Sequence, residues 1–229
     1  MKKLSARFKY AFFDFDGVIV DSEPIRLNTY KNLFTEIYGI DVEIDKHLMV
    51  GKSENYNLLD LLKSNHLDTS HQTISNLKIT RSKMLISEAK KGFPEIGSVI
   101  RIIEGLKSMN IPMAIVTNSS YDYIDAALDG INIDRSCFFI VTANDVSSPK
   151  PDPEGYLKTL RALDCKSKDV LAFEDSLSGI SAAKSAGLET VAVHSTFDKL
   201  LLEANFHLEI DQKDHKLMEI VSLFGDLNA

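Results

Sequence analysis

Two aspartates two residues apart, Asp14 and Asp16, close a short apolar run and are followed by Gly17. Further on, Thr117-Asn118 and Glu174-Asp175 close two other apolar runs, and Lys150 lies among prolines in Pro149-Lys150-Pro151-Asp152-Pro153. Carboxylates such as Asp14, Asp16, Glu174 and Asp175 repel one another when brought together unless a cation neutralises them. Hard oxygen donors suit Mg²⁺, which accepts one or two carboxylates, waters and a substrate phosphate. An anion in the same place needs donors, which the Lys150 ammonium, the Thr117 hydroxyl and backbone N–H groups beyond the strands supply. Carboxylates, cation and anion cradle together point to phosphoryl chemistry. Asp14 is expected to be the nucleophile, passing through an aspartyl phosphate. Asp16 is expected to protonate the leaving oxygen and later to activate water. Gly17 lets the backbone turn with no side chain in the site and is grouped with the substrate-binding residues.

These groups converge only if the elements carrying them belong to one parallel sheet, where ligands bind at the carboxyl ends of the strands. Tyr10 to Phe15 reads as a buried parallel strand. From Ser22, a candidate cap with Pro24 in the first turn, a helix runs with Tyr30, Leu33, Phe34, Ile37 and Tyr38 on one face until Gly39 stops it. Helical stretches near Ser53 to Ser64 and Ser70 to Lys90 follow. Beyond Phe93-Pro94 the rhythm alternates between helices and short apolar strands. Strands are expected at Ile111 to Thr117, Phe138 to Thr142, Val170 to Glu174 and Thr190 to Val193, with a further one near Leu208 to Ile210. The intervening helices are marked by Val99 to Leu106, by Tyr121, Ile124 and Leu128, by Tyr156 to Leu163 with Asp152 as cap and Pro153 in first position, and by Ile180 to Ala186. Thr117 to Ser120 is expected to cap the second of these helices. The tail adds helices through Phe197, Leu200 and Leu201 and through Leu217, Ile220, Val221 and Phe224. The fold class is therefore α/β: a Rossmann-like parallel core, residues 1–20 and 93–229, with helices on both faces and an all-helical cap, residues 21–92, inserted after the first strand.

With 229 residues and a net charge of −7, the chain carries no basic field for nucleic acid or an anionic membrane. No stretch approaches the roughly 20 apolar residues of a membrane helix. The basic start, Lys2, Lys3, Arg7 and Lys9, is followed by Asp14 and Asp16 rather than by a signal-peptide core. A cytoplasmic monomer or weak homo-oligomer acting on a small phosphorylated metabolite is expected. Cys137 and Cys165 stand far apart with no zinc-type spacing and read as small buried hydrophobes.

The motifs, in order, resemble those of the haloacid dehalogenase superfamily. Asp14-Phe15-Asp16-Gly17-Val18-Ile19-Val20-Asp21 is similar to its first motif, Val116-Thr117-Asn118 to the second, Lys150-Pro151-Asp152-Pro153 to the third and Glu174-Asp175-Ser176 to the fourth. Any one alone is weak, since Asp and Thr at strand ends cap turns for local reasons; four in register are strong. The resemblance implies a cap that opens and closes, as in the beta-phosphoglucomutase and phosphoglycolate phosphatase relatives. It further implies Mg²⁺ held by Asp14, the Asp16 carbonyl and Asp175, with Glu174 assisting directly or through water. Thr117 and Lys150 would bind the transferring phosphate, with Asn118 as an added contact, and the loop containing Gly51 and Lys52 would help choose the substrate.

Departures from the sugar phosphomutases favour hydrolysis. Arg26 falls where those enzymes carry a histidine, and Glu54 falls near their cap arginine, which holds a second phosphate. The expected activity is a Mg²⁺-dependent phosphatase of a small phosphomonoester, a sugar phosphate among the candidates. A sugar phosphomutase and a non-catalytic phosphometabolite-binding protein are the alternatives.

Overall fold

The computed structural model describes residues 7–49, 52–195, 202–209 and 214–225. Its strands are β1 (Tyr10–Phe13), β2 (Met113–Val116), β3 (Phe138–Val141), β4 (Val170–Glu174), β5 (Glu189–His194) and β6 (Phe206–Glu209). They form a six-stranded sheet in the order β3-β2-β1-β4-β5-β6, every pairing parallel. The strand order reverses beside β1, whose neighbours are β2 and β4, so the first, second and fourth motifs leave the same edge side by side.

Alternation along β1 divides the core. Ala11 and Phe13 face one apolar layer, where Phe13 stacks on Phe173 at 4.6 Å between ring centroids, while Phe12 faces the other. The first layer is covered by α5 (Gly97–Ser108), α6 (Tyr121–Gly130) and α9 (Asp214–Val221), through residues such as Val99, Ile124 and Leu217. The second is covered by α7 (Glu154–Ala162) and α8 (Leu177–Ser185), through Tyr156, Leu160, Ala182 and Ala183. With both faces covered, β2 and β4 are buried along their whole length, which is why they read as continuous apolar runs.

The helical segment after β1 contains α1 (Glu23–Tyr38), α2 (Lys46–Met49), α3 (Glu54–Ser64) and α4 (His71–Ala89). Tyr30, Leu33, Phe34, Leu58, Leu62 and Leu77 build a separate apolar core there. Ser53 and Ser70 cap α3 and α4 by accepting from Tyr56 and Thr73 amides, contacts worth about 1 kcal/mol each. The far end of α4 belongs to the sheet instead, since Leu85 and Ala89 join the layer under β1. At that seam a Cβ on Gly130 would come within 2.2 Å of the Ala89 carbonyl oxygen.

Several expectations shift. β1 stops at Phe13, and α7 begins at Glu154, leaving Pro153 just outside while Asp152 accepts from the Glu154 amide at 2.9 Å. Ile37 is exposed, because the apolar stripe of α1 is narrower than its sequence pattern. Tyr121 is exposed while Tyr123 turns inward, and the cap acceptor for the Tyr121 amide is Asn144, not a residue of 117–120. Phe224 packs on Phe8 beyond the end of α9. The cysteines are free and half-buried. Phe197, Leu200, Leu201 and Ile210 lie outside the described residues, as do Val50 and Gly51.

Candidate active site

The carboxyl ends of β1, β2 and β4 deliver Asp14, Thr117 and Asp175 to one cavity of about 470 Å³, roofed by cap residues that include Arg26, Tyr30, Lys52, Glu54 and Arg81. Carboxylate oxygens of Asp14, Glu174 and Asp175 all lie within 4.8 Å of one another. Such a group repels itself without a counter-charge, and part of that charge is supplied by Lys150. Its ammonium donates to the Glu174 Oε1 at 2.6 Å and to the Val116 carbonyl at 2.6 Å, and lies 3.2 Å from the Asp14 Oδ1. The cis Lys150-Pro151 segment that presents it is clamped by Asn118, whose Oδ1 accepts from the Lys150 amide (2.9 Å) and whose Nδ2 donates to the Lys150 carbonyl (3.2 Å).

Burial would lower the Lys150 ammonium, yet Asp14 and Glu174 hold it above the usual lysine value, so it stays charged beside Asp14. Burial pushes the Glu174 carboxyl up to about 7 against the opposing pull of Lys150. Tyr156, itself pushed far up by burial and by Glu174, stays protonated and donates its hydroxyl to Glu174 Oε1. The other oxygen, Oε2, has no partner among the described residues and faces Gly179, where a Cβ would stand 1.8 Å from it.

Asp16 is placed differently from Asp14. Its carboxylate accepts from Ser22 Oγ (2.5 Å), Ser119 Oγ (2.6 Å), Tyr123 OH (2.7 Å) and Arg26 Nη1 (3.3 Å). Burial alone would raise this carboxyl, but Arg26 and the three hydroxyls outweigh it and hold it below the usual carboxylate range. Ser22 therefore gives its side chain to Asp16 rather than to capping α1. Ser22 leads into α1, so Asp16 is tied to the inserted helices as well as to the sheet edge.

Asp14, Asp16, Thr117, Asn118, Lys52 and Asp175 line the cavity. Thr117 is buried, with its Oγ1 accepting from the Ser119 amide at 3.1 Å. The exposed Lys52 rests its ammonium 5.5 Å from the Tyr56 ring centroid. Gly17 is not among the lining residues: it turns the chain at φ 75°, donating to the Val20 carbonyl and accepting from Ser195 Oγ behind the wall. The Asp16 carboxylate lies outside the acidic cluster, whereas Glu174 lies within it with its Oε1 engaged by Lys150 and Tyr156, and neither Glu174 nor Lys150 is among the residues lining the cavity. Sequence patterns gave Tyr123, Tyr156 and Arg81 no functional weight. A tyrosine at a helix-core position looks like packing until its hydroxyl partner is known, and only the acid-rich strand ends nearby hinted at one.

A parallel α/β sheet with an acid-lined cavity at its carboxyl edge, a buried lysine against the first aspartate and a helical roof defines a Rossmann-like protein with a ligand site at its strand ends. Residues 11–193 match the model of the haloacid dehalogenase-like hydrolases, and the chain belongs to that family. It is 34% identical over 196 residues to the phosphorylated carbohydrates phosphatase of Thermotoga maritima, covering 84% of this chain and 89% of that one. It is 28% identical to the validoxylamine A 7'-phosphate phosphatase of Streptomyces hygroscopicus subsp. limoneus, over 88% of this chain and 93% of the other. Among solved structures, CbbY of Rhodobacter sphaeroides in complex with phosphate superposes with a TM-score of 0.74 at 22% identity, covering 88% and 93% of the two chains, a likeness of fold.

Proposed function

We propose that the chain is a cytoplasmic, Mg²⁺-dependent phosphatase of small sugar-like phosphomonoesters that works through phosphorylated Asp14. The observation carrying this reading is the ammonium of Lys150, kept charged 3.2 Å from Asp14 Oδ1 at the mouth of β1. Oδ1 also accepts from the Phe15 amide at 2.8 Å, which leaves Oδ2 as the attacking oxygen. Asp14 forms a bond to phosphorus as the bond to the leaving oxygen breaks. Asp16, held here as a carboxylate by Arg26 and three hydroxyls, must take up a proton as substrate displaces that clamp. It then gives the proton to the leaving oxygen and recovers one from the water that releases phosphate and restores Asp14. Thr117 and Lys150 orient the transferring group, and Asn118 acts as a positioning residue for Lys150.

The residues fit a divalent cation. Asp14 and Asp175 reach the cavity and, with Glu174, bring three carboxylates within 4.8 Å of one another, a set of hard oxygen donors. Asp14 and Asp175 would hold the ion, together with the Asp16 carbonyl that the family resemblance implies, while Glu174 positions Lys150. When bound, the cation lowers the repulsion between the nucleophile and an anionic substrate. The free thiols of Cys137 and Cys165 agree with a reducing compartment, and no helix among the described residues is long and apolar enough to cross a membrane.

The similarity to relatives named as phosphatases of phosphorylated carbohydrates supports the substrate class. Phosphate release from sugar phosphates and an aryl phosphate, with Mg²⁺ or chelator, tests the reading. Wild type should need the metal, and Asp14→Asn should lose at least about 10³-fold in kcat. Isomerised sugar phosphate with little free phosphate would replace this reading with the mutase. Ligand binding without turnover would replace it with a binding role.

A further inference from the structure

We propose that Glu54, fixed by Arg81, selects the alcohol half of the substrate: it accepts hydrogen bonds from the hydroxyls of a polyol or sugar monophosphate and disfavours a second phosphate. The inference rests on the phosphatase reading and names the substrate class of that site.

Arg81 on α4 has a side chain only 4% exposed, while that of Glu54 is 36% exposed. The Arg81 guanidinium lies over the Tyr30 ring at 3.7 Å, donates through Nη1 to Glu54 Oε1 at 2.6 Å and through Nη2 to the Arg26 carbonyl at 2.9 Å. Contacts from α1 and α3 thus fix it, and its charge is spent on Glu54. The Glu54 carboxylate is held on one side and open on the other, on the wall of the cavity that contains Asp14. Although Glu54 falls near the cap arginine of the phosphomutases, a guanidinium does occupy this wall, brought from α4 and neutralised by Glu54.

Counting charges on that wall decides what the distal end of a ligand can be. The second guanidinium, Arg26, is committed to Asp16. Of the cap cations lining the cavity, only Lys52 has no carboxylate at ion-pair distance among the described residues, and it is exposed beside Tyr56. A second phosphate would face one screened ammonium and the carboxylates of Glu54 and of Glu23, which also lines the cavity, whereas a hydroxyl would donate to a charged acceptor, the stronger class of hydrogen bond. Arg81 is then a positioning residue acting through Glu54.

Glu54→Gln keeps the shape and one acceptor and removes the charge. The test compares kcat and KM for a hexose monophosphate, the matching hexose bisphosphate and an aryl phosphate without hydroxyls, with melting temperature as a check on folding. The ratio of kcat/KM for monophosphate over aryl phosphate should fall roughly ten-fold or more, chiefly through KM. The ratio for bisphosphate over monophosphate should rise. Arg81→Met should lower the first ratio too, and Arg81→Lys should restore part of it. An unmoved ratio in Glu54→Gln, or an equal loss on all three compounds, overturns the proposal. Wild type that releases phosphate from none of them refutes the phosphatase reading instead. Calorimetric affinity of Asp14→Asn for the hexose monophosphate, with and without Glu54→Gln, then decides: roughly ten-fold weaker binding supports the selector and equal binding overturns it.

Discussion

Lys150 joins the nucleophile to the buried layer behind it, and that layer should be visible in kinetics. Tyr156 never reaches the cavity wall, yet its hydroxyl shares Glu174 Oε1 with the Lys150 ammonium. Tyr156→Phe removes a hydrogen bond to a charged acceptor in a fully buried place, so stability should fall by about 1–3 kcal/mol. With Glu174 freer to move, Lys150 loses its fixed approach to Asp14, and kcat should drop roughly ten-fold while the fold persists. Denaturant unfolding beside steady-state kinetics checks both; unchanged kcat would mean that Glu174 and the Val116 carbonyl hold Lys150 without help from Tyr156. Asp14, Thr117 and Asp175 could be found from sequence because each directly follows a run buried on both faces, where an acid or hydroxyl is out of place unless used. Tyr123, Tyr156 and Arg81 could not, because their polar atoms meet partners brought in from distant elements. Asp16 was legible as a site residue but not as the centre of a four-partner clamp, which depends on Ser22 and Arg26 from one stretch of chain and Ser119 and Tyr123 from another converging on it.

Among the elements, α8 is built around a residue that local preference would reject. Gly179 lies inside a helix, where alanine would ordinarily be about 1 kcal/mol better. Here a Cβ would stand 1.8 Å from Glu174 Oε2, so the close approach of helix and strand decides the sign. Gly179→Ala should therefore lose about 1–3 kcal/mol, as overpacked cores do, and disturb Glu174 with it. A higher denaturation midpoint for that variant would contradict the packing described. Element identities were legible for the same reason that the sheet is stable: four-residue strands such as β2, covered on both faces, admit only apolar side chains. Boundaries slipped where tertiary contacts replaced local signals. Ser22 gives up capping for Asp16, and Asn144 rather than Thr117 to Ser120 meets the first amide of α6. The four-residue helix α2 has too few apolar positions to show a period.

For the molecule as a whole, the order of strands matters more than any single element. Placing β1 between β2 and β4 gathers motifs separated by more than a hundred residues, and the helices inserted after β1 roof the edge where they meet. That arrangement was readable from alternating helices and apolar strands, whereas the join between cap and sheet was not. It runs through α4, whose two ends serve different apolar cores, and through the close contact of Gly130 with Ala89. A net charge of −7 draws no anion from afar, so under the proposed reading recognition of a phosphorylated ligand would fall to Lys150, Thr117 and the metal proposed beside Asp14. The central claim is that Asp14 itself carries the phosphoryl group. Rapid acid quench with a substrate labelled in its phosphate, followed by peptide mass spectrometry, tests it most directly. Protein-bound label on Asp14, released by hydroxylamine and missing from Asp14→Asn, is the predicted result; label on another residue, or steady turnover by Asp14→Asn, would contradict it.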